Sequence, residues 1–232
     1  MTESQFTIDG VIVAFTEGQT IMEAASAANI YIPRLCHHPD FKPHGSCKLC
    51  TVNVNGRNCS ACTFPAAFGQ QVLNQTTELN NLRRRIIQML FVEGNHLCPA
   101  CEKSGNCKLQ ATAYQLQMVD SHFPHFYRDS RVDSSHPDIM LDRNRCIFCT
   151  LCVRASRDID GKDLFAISGR GINKHLVINS ASGELHDSGM TITDRAADIC
   201  PTGALLIKRQ GFSIPIGKRI YDNHEICEDC DE

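Results

Sequence analysis

Residues 6–15, FTIDGVIVAF, alternate apolar and polar positions on either side of Asp9-Gly10, the period-two pattern and turn dipeptide of a β-hairpin. In the next stretch, TIMEAASAAN, Thr20 stands as a helix N-cap with Glu23 three residues on, a capping box. The small residues of that helix let it lie close against a sheet. After a cysteine-bearing loop, CTVNVNG alternates again and turns at Asn55-Gly56. Hairpin, helix, long loop and further strands predict a β-grasp domain over residues 1–76.

The period then lengthens. TELNNLRRRIIQMLFVEGNH sets Leu79, Leu82, Ile86, Met89 and Leu90 on one helical face, with Thr77 as cap and Gly94 as stop. This stripe reads as core packing and opens a helical domain over 77–130. Arg83, Arg84 and Arg85 read as a solvated helix face. Residues 131–212 form a third domain, interrupted by DIDGKDLFAISGRGINKHLVINSASGEL, whose alternation and Gly-rich turns predict a hairpin insert. SGRG within it lacks the strand-then-helix context of a phosphate loop. Residues 213–232, ending EICEDCDE, read as a flexible tail. The class is α+β.

Composition narrows the chemistry. Across 232 residues the formal net charge is −3, which gives no reason to expect nucleic acid or an anionic membrane as partner. No apolar run is long enough to span a bilayer, and MTESQFTIDG lacks the basic start and apolar core of a signal peptide. A cytoplasmic location is therefore expected. Fourteen cysteines in such a chain point to metal ligation rather than disulfides. With no Trp, the cores must be small and aliphatic, and bound clusters would staple the loops together.

The cysteines fall into three groups. Cys36, Cys47 and Cys50 are followed by Cys59 and Cys62, which compete for a fourth place; taken with Cys62, the spacing C-x10-C-x2-C-x11-C resembles the plant-type [2Fe–2S] arrangement. Gly45 lets the loop bend before Cys47. His37, His38 and His44 lack Rieske-type pairing and read as solvated loop histidines. In HLCPACEKSGNC, Cys98, Cys101 and Cys107 leave one position open on a [4Fe–4S] cluster, and the imidazole of His96 is placed to fill it. In RCIFCTLCVRAS, Cys146, Cys149 and Cys152 open a bacterial ferredoxin motif that has Ser156 where a fourth cysteine is expected. Downstream, Cys200 precedes Pro201 and supplies that ligand. The reciprocal positions hold Met190, Thr193 and Ala196, so the third domain reads as ferredoxin-like with one cluster lost. Cys59, Cys227 and Cys230 remain outside the groups, and the C-x-x-C of Cys227 and Cys230 could bind metal or form a disulfide. Zinc knuckles normally arrive as two C-x2-C pairs per site, so a structural zinc adaptor is the distant alternative.

The order of these sites resembles the N-terminal iron–sulfur region of the complex I large subunit and the accessory region of [FeFe] hydrogenases. In those relatives the second motif usually reads H-x3-C-x2-C-x5-C, whereas here Gly94 holds the usual His position and one residue separates His96 from Cys98. EGNHLCPACEKSGNCKLQ and the chain length resemble the small iron–sulfur, diaphorase gamma, subunits of NAD-reducing [NiFe] hydrogenases. The resemblance favours Cys62, before Pro65, over Cys59. It implies one [2Fe–2S] and two [4Fe–4S] clusters and no catalytic residues on this chain. Electrons would pass between a flavin subunit carrying FMN and NAD and hydrogenase small and large subunits carrying the [NiFe] site. The same relay in an NAD-dependent formate dehydrogenase or a complex I-like module is the nearer alternative.

Overall fold

The computed structural model describes residues 4–127 and 130–208; Cys227, Cys230 and the expected tail lie outside the described residues. The chain mixes helices and strands throughout. Strands β1 (Gln5–Ile8) and β2 (Val11–Ala14) pair antiparallel, and Asp9 (φ 49°) and Gly10 (φ 84°) make the turn between them in left-handed conformation. Helix α1 (Ile21–Ala27) starts from the capping box: Thr20 Oγ1 accepts from the Glu23 amide at 3.2 Å, and Glu23 Oε2 accepts from the Thr20 amide at 2.7 Å. Its Ala24 and Ala25 are buried, so the helix backbone approaches the sheet closely. Strands β3 (Thr51–Val54) and β4 (Arg57–Ser60) turn at Asn55-Gly56. Strand β5 (Gln71–Leu73) then slots between β1, parallel, and β3, antiparallel, giving the order β2-β1-β5-β3-β4. Phe6, Ile8, Val13, Val52 and Val72 meet Ile21 and Met22 of α1 in the first core.

Helix α2 (Thr77–Glu93) departs from expectation in two ways. Its cap is Thr76, whose Oγ1 accepts from the Leu79 amide at 3.2 Å. Its buried face carries Leu79, Arg83, Ile87, Gln88 and Val92, while Leu82 and Met89 are exposed. Arg83 is not solvated: it is 0% exposed. The reason is its donor count, since the guanidinium donates to the carbonyls of Leu49, Thr51 and Asn74 and to the Asn74 and Asn80 side chains. Arg84 likewise turns back, to the Leu116 carbonyl at 2.9 Å. Helix α3 (Lys108–Gln115) packs on α2, and Leu35 and Leu49 of the first cysteine loop join Ile87, Leu109 and Leu116 in a second core.

The third region holds β6 (Val132–Asp133), β7 (Ile139–Asp142), α4 (Leu151–Asp158), β8 (Phe165–Ser168), β9 (His175–Ile178), α5 (Arg195–Asp198) and β10 (Leu205–Ile207). One sheet has the order β10-β7-β6, and β8-β9 form the hairpin expected of the insert. That hairpin requires glycine at 169, with φ +71°, because a Cβ there would lie 2.2 Å from the Asn173 carbonyl oxygen. Asp160 caps α5 by accepting from the Arg195 amide at 2.7 Å and the Ala196 amide at 3.0 Å. The third core contains Ile139, Leu141, Leu164 and Phe165 together with Cys36 and Phe41 from the first cysteine loop. That loop is therefore packed into the core of the third region. Arg154 of α4 fixes the contact: Nη2 donates to the Cys36 carbonyl at 2.6 Å and to the Cys149 carbonyl at 3.3 Å.

Candidate metal centres

The first thiol group lies where the 36–50 loop meets the turn after β4. Cys36, Cys50 and Cys62 are buried and Cys47 half-buried. The sulfurs of Cys50 and Cys62 are 3.3 Å apart, and the Cys47 amide donates to Cys36 Sγ at 3.5 Å. Cys59 sits in β4 opposite Val52 and packs on the sheet core. It is thus Cys62, not Cys59, that the fold sets against Cys50. Gly45 (φ +69°) turns the loop under Thr63, whose Cγ2 would be 3.1 Å from an added Cβ, and Lys48 (φ 58°) reverses it between Cys47 and Cys50. Hydrogen bonding from the Cys47 thiol, against burial and with help from Ser46, draws the Cys36 thiol below the ordinary thiol value. The Cys62 thiol likewise draws Cys50 down, against burial. Their partners Cys47 and Cys62 are pushed up, first by the shared hydrogen bond and then by burial. The expectation of solvated histidines holds only for exposed His44. His37 is half-buried, with Nδ1 buried and without a hydrogen-bond partner. His38 packs against Phe41 and is reached by Arg195, because the loop is covered by the third region.

The second group follows α2. His96, Cys98, Cys101 and Cys107 line one pocket with Phe91 and Arg145. Cys98 opens a 3-10 turn (Cys98–Ala100) that Cys101 closes, and Cys107 is the residue from which α3 starts. A helix start favours a thiolate. Burial raises Cys107, while the Gln110 and Leu109 amides act in the opposite sense. His96 packs against Phe91 with ring centroids 5.4 Å apart. Its Nε2 is buried without a hydrogen-bond partner. Burial, with the Arg145 charge, brings the imidazole down to about 4, leaving it neutral at pH 7. The ring folds back over Gly94: a Cβ there would lie 2.6 Å from His96 Nε2. The imidazole therefore occupies the space beside residue 94, the usual histidine position in the relatives' motif.

The third group brings distant parts of the chain together. Cys146, Cys149, Cys152 and Cys200 line one pocket with Leu141 and Pro201. Phe148 (φ 53°) and Thr150 (φ 60°) hold the turn in the left-handed region, and Cys152 lies in the first turn of α4. Burial pushes the Cys149 and Cys152 thiols up, so their thiolates would be costly without a neutralising cation. Around the reciprocal positions, Ser156 is fully buried and its Oγ accepts from the Leu164 amide at 2.7 Å. Met190 and Ala196 belong to the third core, and Thr193 is exposed.

The second and third groups touch. Pro201, next to Cys200, has its carbonyl 2.9 Å from the Lys108 amide and 3.6 Å from Cys107 Sγ. Arg145, next to Cys146, donates from Nη1 to Cys101 Sγ at 3.4 Å. A Cβ on Gly203 would lie 2.7 Å from Cys101 Sγ, so only glycine leaves room for that sulfur. Among the described residues, no three His, Cys, Asp or Glu side chains converge as a single ion would require; the ligand candidates ring pockets instead. Arg83, Arg145, Arg154 and Gly203 carry no motif signal, and sequence reasoning missed their roles.

Residues 2–77 match the family described as 2Fe-2S iron-sulfur cluster binding domain. Residues 83–122 match the NADH-ubiquinone oxidoreductase-G iron-sulfur binding region, and 139–207 a 4Fe-4S single cluster domain. The gamma subunit of NAD-reducing hydrogenase HoxS from Cupriavidus necator is 40% identical over 94% of this chain and 93% of its own length. The chain belongs to this gamma-subunit family. A chain in the crystal structure of NAD+-reducing [NiFe]-hydrogenase in the H2-reduced state superposes with TM-score 0.87 at 53% identity, covering 94% of this chain and 92% of that one. This chain is also similar to parts of larger proteins. The alpha subunit of NADPH-Fe(3+) oxidoreductase from Geobacter sulfurreducens is 30% identical over 87% of this chain, which spans 24% of its length. The G subunit of NADH-quinone oxidoreductase from Mycobacterium bovis is 31% identical over 97% of the chain, which spans 28% of it. As a gamma-subunit relative, the chain is an iron–sulfur, electron-transfer member of an oxidoreductase family. No helix among the described residues is long and apolar enough to cross a membrane.

Proposed function

We propose that this chain relays electrons between a [NiFe] hydrogenase module and an FMN- and NAD-binding diaphorase subunit, coupling H2 oxidation to NAD+ reduction in the cytoplasm. The first site, Cys36, Cys47, Cys50 and Cys62, holds a [2Fe–2S] cluster on a β-grasp domain over residues 1–76. The second, His96, Cys98, Cys101 and Cys107, holds a [4Fe–4S] cluster in the helical domain 77–130. The third, Cys146, Cys149, Cys152 and Cys200, holds another in the ferredoxin-like domain 131–212, and 213–232 is a tail. When bound, each cluster takes up and gives back one electron at a time.

The residues fit these groups. The buried Nε2 of His96 lacks a hydrogen-bond partner, and metal coordination would satisfy it. Its position over Gly94 makes up for the shortened spacing to Cys98. Gly203 leaves a cradle for the Cys101 sulfur, and ligands ringing a pocket suit a multinuclear cluster better than one zinc ion. Ser156, Met190, Thr193 and Ala196 offer no thiolates for a fourth cluster, and two of them pack as core. The protein's part is to hold the three sites close, exclude water and set their electrostatics. The observation that carries the relay is contact between sites: Arg154 joins the Cys36 and Cys149 carbonyls, and Cys107 touches Pro201 beside Cys200.

Low-temperature EPR with iron, nickel, molybdenum and zinc analysis on the complex containing this chain tests the reading. One [2Fe–2S] and two [4Fe–4S] signals from this chain, alongside nickel, are expected. Molybdenum without nickel would assign the relay to a different dehydrogenase. Zinc without iron would overturn the cluster assignment.

A further inference from the structure

We propose that Arg145 sets the reduction potential of the cluster at His96, Cys98, Cys101 and Cys107, acting as a positioning and charge-bearing residue without ligating iron. The inference rests on the cluster assignment above and adds a residue outside the ligand set. Arg145 is the residue before Cys146, so its backbone belongs to the third site. Its side chain crosses to the second, where Nη1 reaches Cys101 Sγ at 3.4 Å.

The crossing is built. The Arg145 carbonyl accepts from Thr202 Oγ1 at 2.8 Å, and Thr202 is fully buried. Nε pairs with Asp142 Oδ2 at 2.8 Å, and Nη1 also pairs with Glu102 Oε2 at 2.8 Å. Two carboxylates thus aim the guanidinium at the sulfur. Asp142 is itself held, accepting from the Asn144 amide at 3.0 Å. The Arg145 side chain is 16% exposed, so water screens it weakly. Gly203 lets the same sulfur approach, and its missing Cβ would also have crowded Arg145 Cδ at 3.3 Å.

Reduction adds one electron, delivered by the neighbouring site, to the cluster. A fixed positive charge and an N–H donor at a ligand sulfur stabilise that added charge and raise the potential. The guanidinium stays protonated, so no proton leaves Arg145 when the electron arrives. Asp142 and Glu102 oppose the effect. Removing the arginine exposes the cluster to both carboxylates, whereas neutralising Glu102 leaves the arginine's charge less compensated. The two changes must therefore shift the potential in opposite directions.

The test is an EPR-monitored redox titration of the whole complex, with iron per chain measured for each preparation. In Arg145→Gln, the second-site cluster should titrate at lower potential, with about a tenfold shift in the reduced-to-oxidised ratio at fixed poise, or about 59 mV for one electron. Arg145→Lys should recover most of it, and Glu102→Gln should move it upward. The third-site cluster should be unmoved in all three. If Arg145→Gln loses the cluster, Arg145→Lys decides instead: with full iron but without the fork's contact to Cys101 Sγ, its second-site potential should fall below that of wild type while the third-site potential stays. An unchanged or raised second-site potential with full iron in Arg145→Gln, or in Arg145→Lys where the glutamine chain loses its cluster, overturns it while leaving the cluster assignment intact. Wild-type complex without a second-site signal would instead remove that assignment, and this proposal with it.

Discussion

Arg83 Nε lies 3.1 Å from the Leu49 carbonyl oxygen, so helix α2 hydrogen-bonds directly into the loop that carries Cys47 and Cys50. The same guanidinium reaches the Thr51 carbonyl at 2.8 Å and the Asn74 carbonyl at 2.7 Å. The residues flanking Cys50 are therefore held by a side chain from helix α2. An Arg83→Lys chain keeps the charge but has one ammonium where a five-donor fork stood. At least two buried carbonyls lose their donor, at about 1–3 kcal/mol each. The thermal unfolding midpoint of the complexed chain should fall by roughly 5–15 °C. A midpoint within 1 °C or so of wild type would show that these bonds contribute nothing net.

Gly203 tests the contact between the second and third sites. Its alanine variant places a methyl group 2.7 Å from Cys101 Sγ and 3.3 Å from Lys103 Cβ, distances that force the sulfur or the CPTG turn to shift. Gly203→Ala should lower iron retention at the second site and leave the [2Fe–2S] signal of the first unchanged. Equal loss from all three sites would mean a general folding defect, and full retention would show that the cradle is looser than its geometry.

His96 offers a cleaner ligand test, because its Nε2 makes no hydrogen bond that would be lost with the side chain. In His96→Ala the second-site EPR signal should vanish or change type and iron per chain should drop, while the other two signals persist. His96→Cys should restore a four-ligand set with added negative charge, and so a cluster titrating at lower potential. A normal signal and full iron in the alanine chain would rule out imidazole ligation.

What the sequence made legible follows from where each signal lives. Asp9-Gly10, Asn55-Gly56 and the Thr20/Glu23 box are local devices, and the structure places all three where the pattern puts them. The cysteine groups are legible because cluster binding needs particular spacings, and the fold does bring Cys200 to the Cys146, Cys149 and Cys152 pocket. Arg83 escapes a sequence reading because a charged residue in a helical repeat ordinarily marks the solvent face, and only tertiary carbonyls can reverse that. Leu82 and Met89 fall on the wrong face for the same reason, since α2 turns Arg83 and Ile87 inward. His38 lies under the third region, where Arg195 reaches it, a contact between segments more than a hundred residues apart that no local pattern records. The arginines between sites, Arg145 and Arg154, act through the same kind of long-range contact.

The Lys162–Asp194 pair gives a pH test away from all three pockets. Lys162 Nζ lies 2.7 and 2.8 Å from the two Asp194 oxygens, and Thr191 donates to the same carboxylate through its amide and its hydroxyl. Burial works to raise the carboxyl, but the lysine and Thr191 prevail and hold it below the usual aspartate value. A carboxyl depressed on folding adds stability that is fully present above its unfolded value, about 3.9, and is lost as pH falls through the folded value. In Lys162→Met the carboxylate stays 8% exposed without its cation, so the variant should be less stable by about 1–3 kcal/mol at pH 7. The gap should narrow as pH drops below about 4, because protonation relieves the unpaired charge in the variant and removes the pair's contribution in wild type. Urea midpoints of both chains from pH 7 to pH 3.5 read this directly. A gap that stays constant across that range would mean the pair is stabilised by packing rather than by charge.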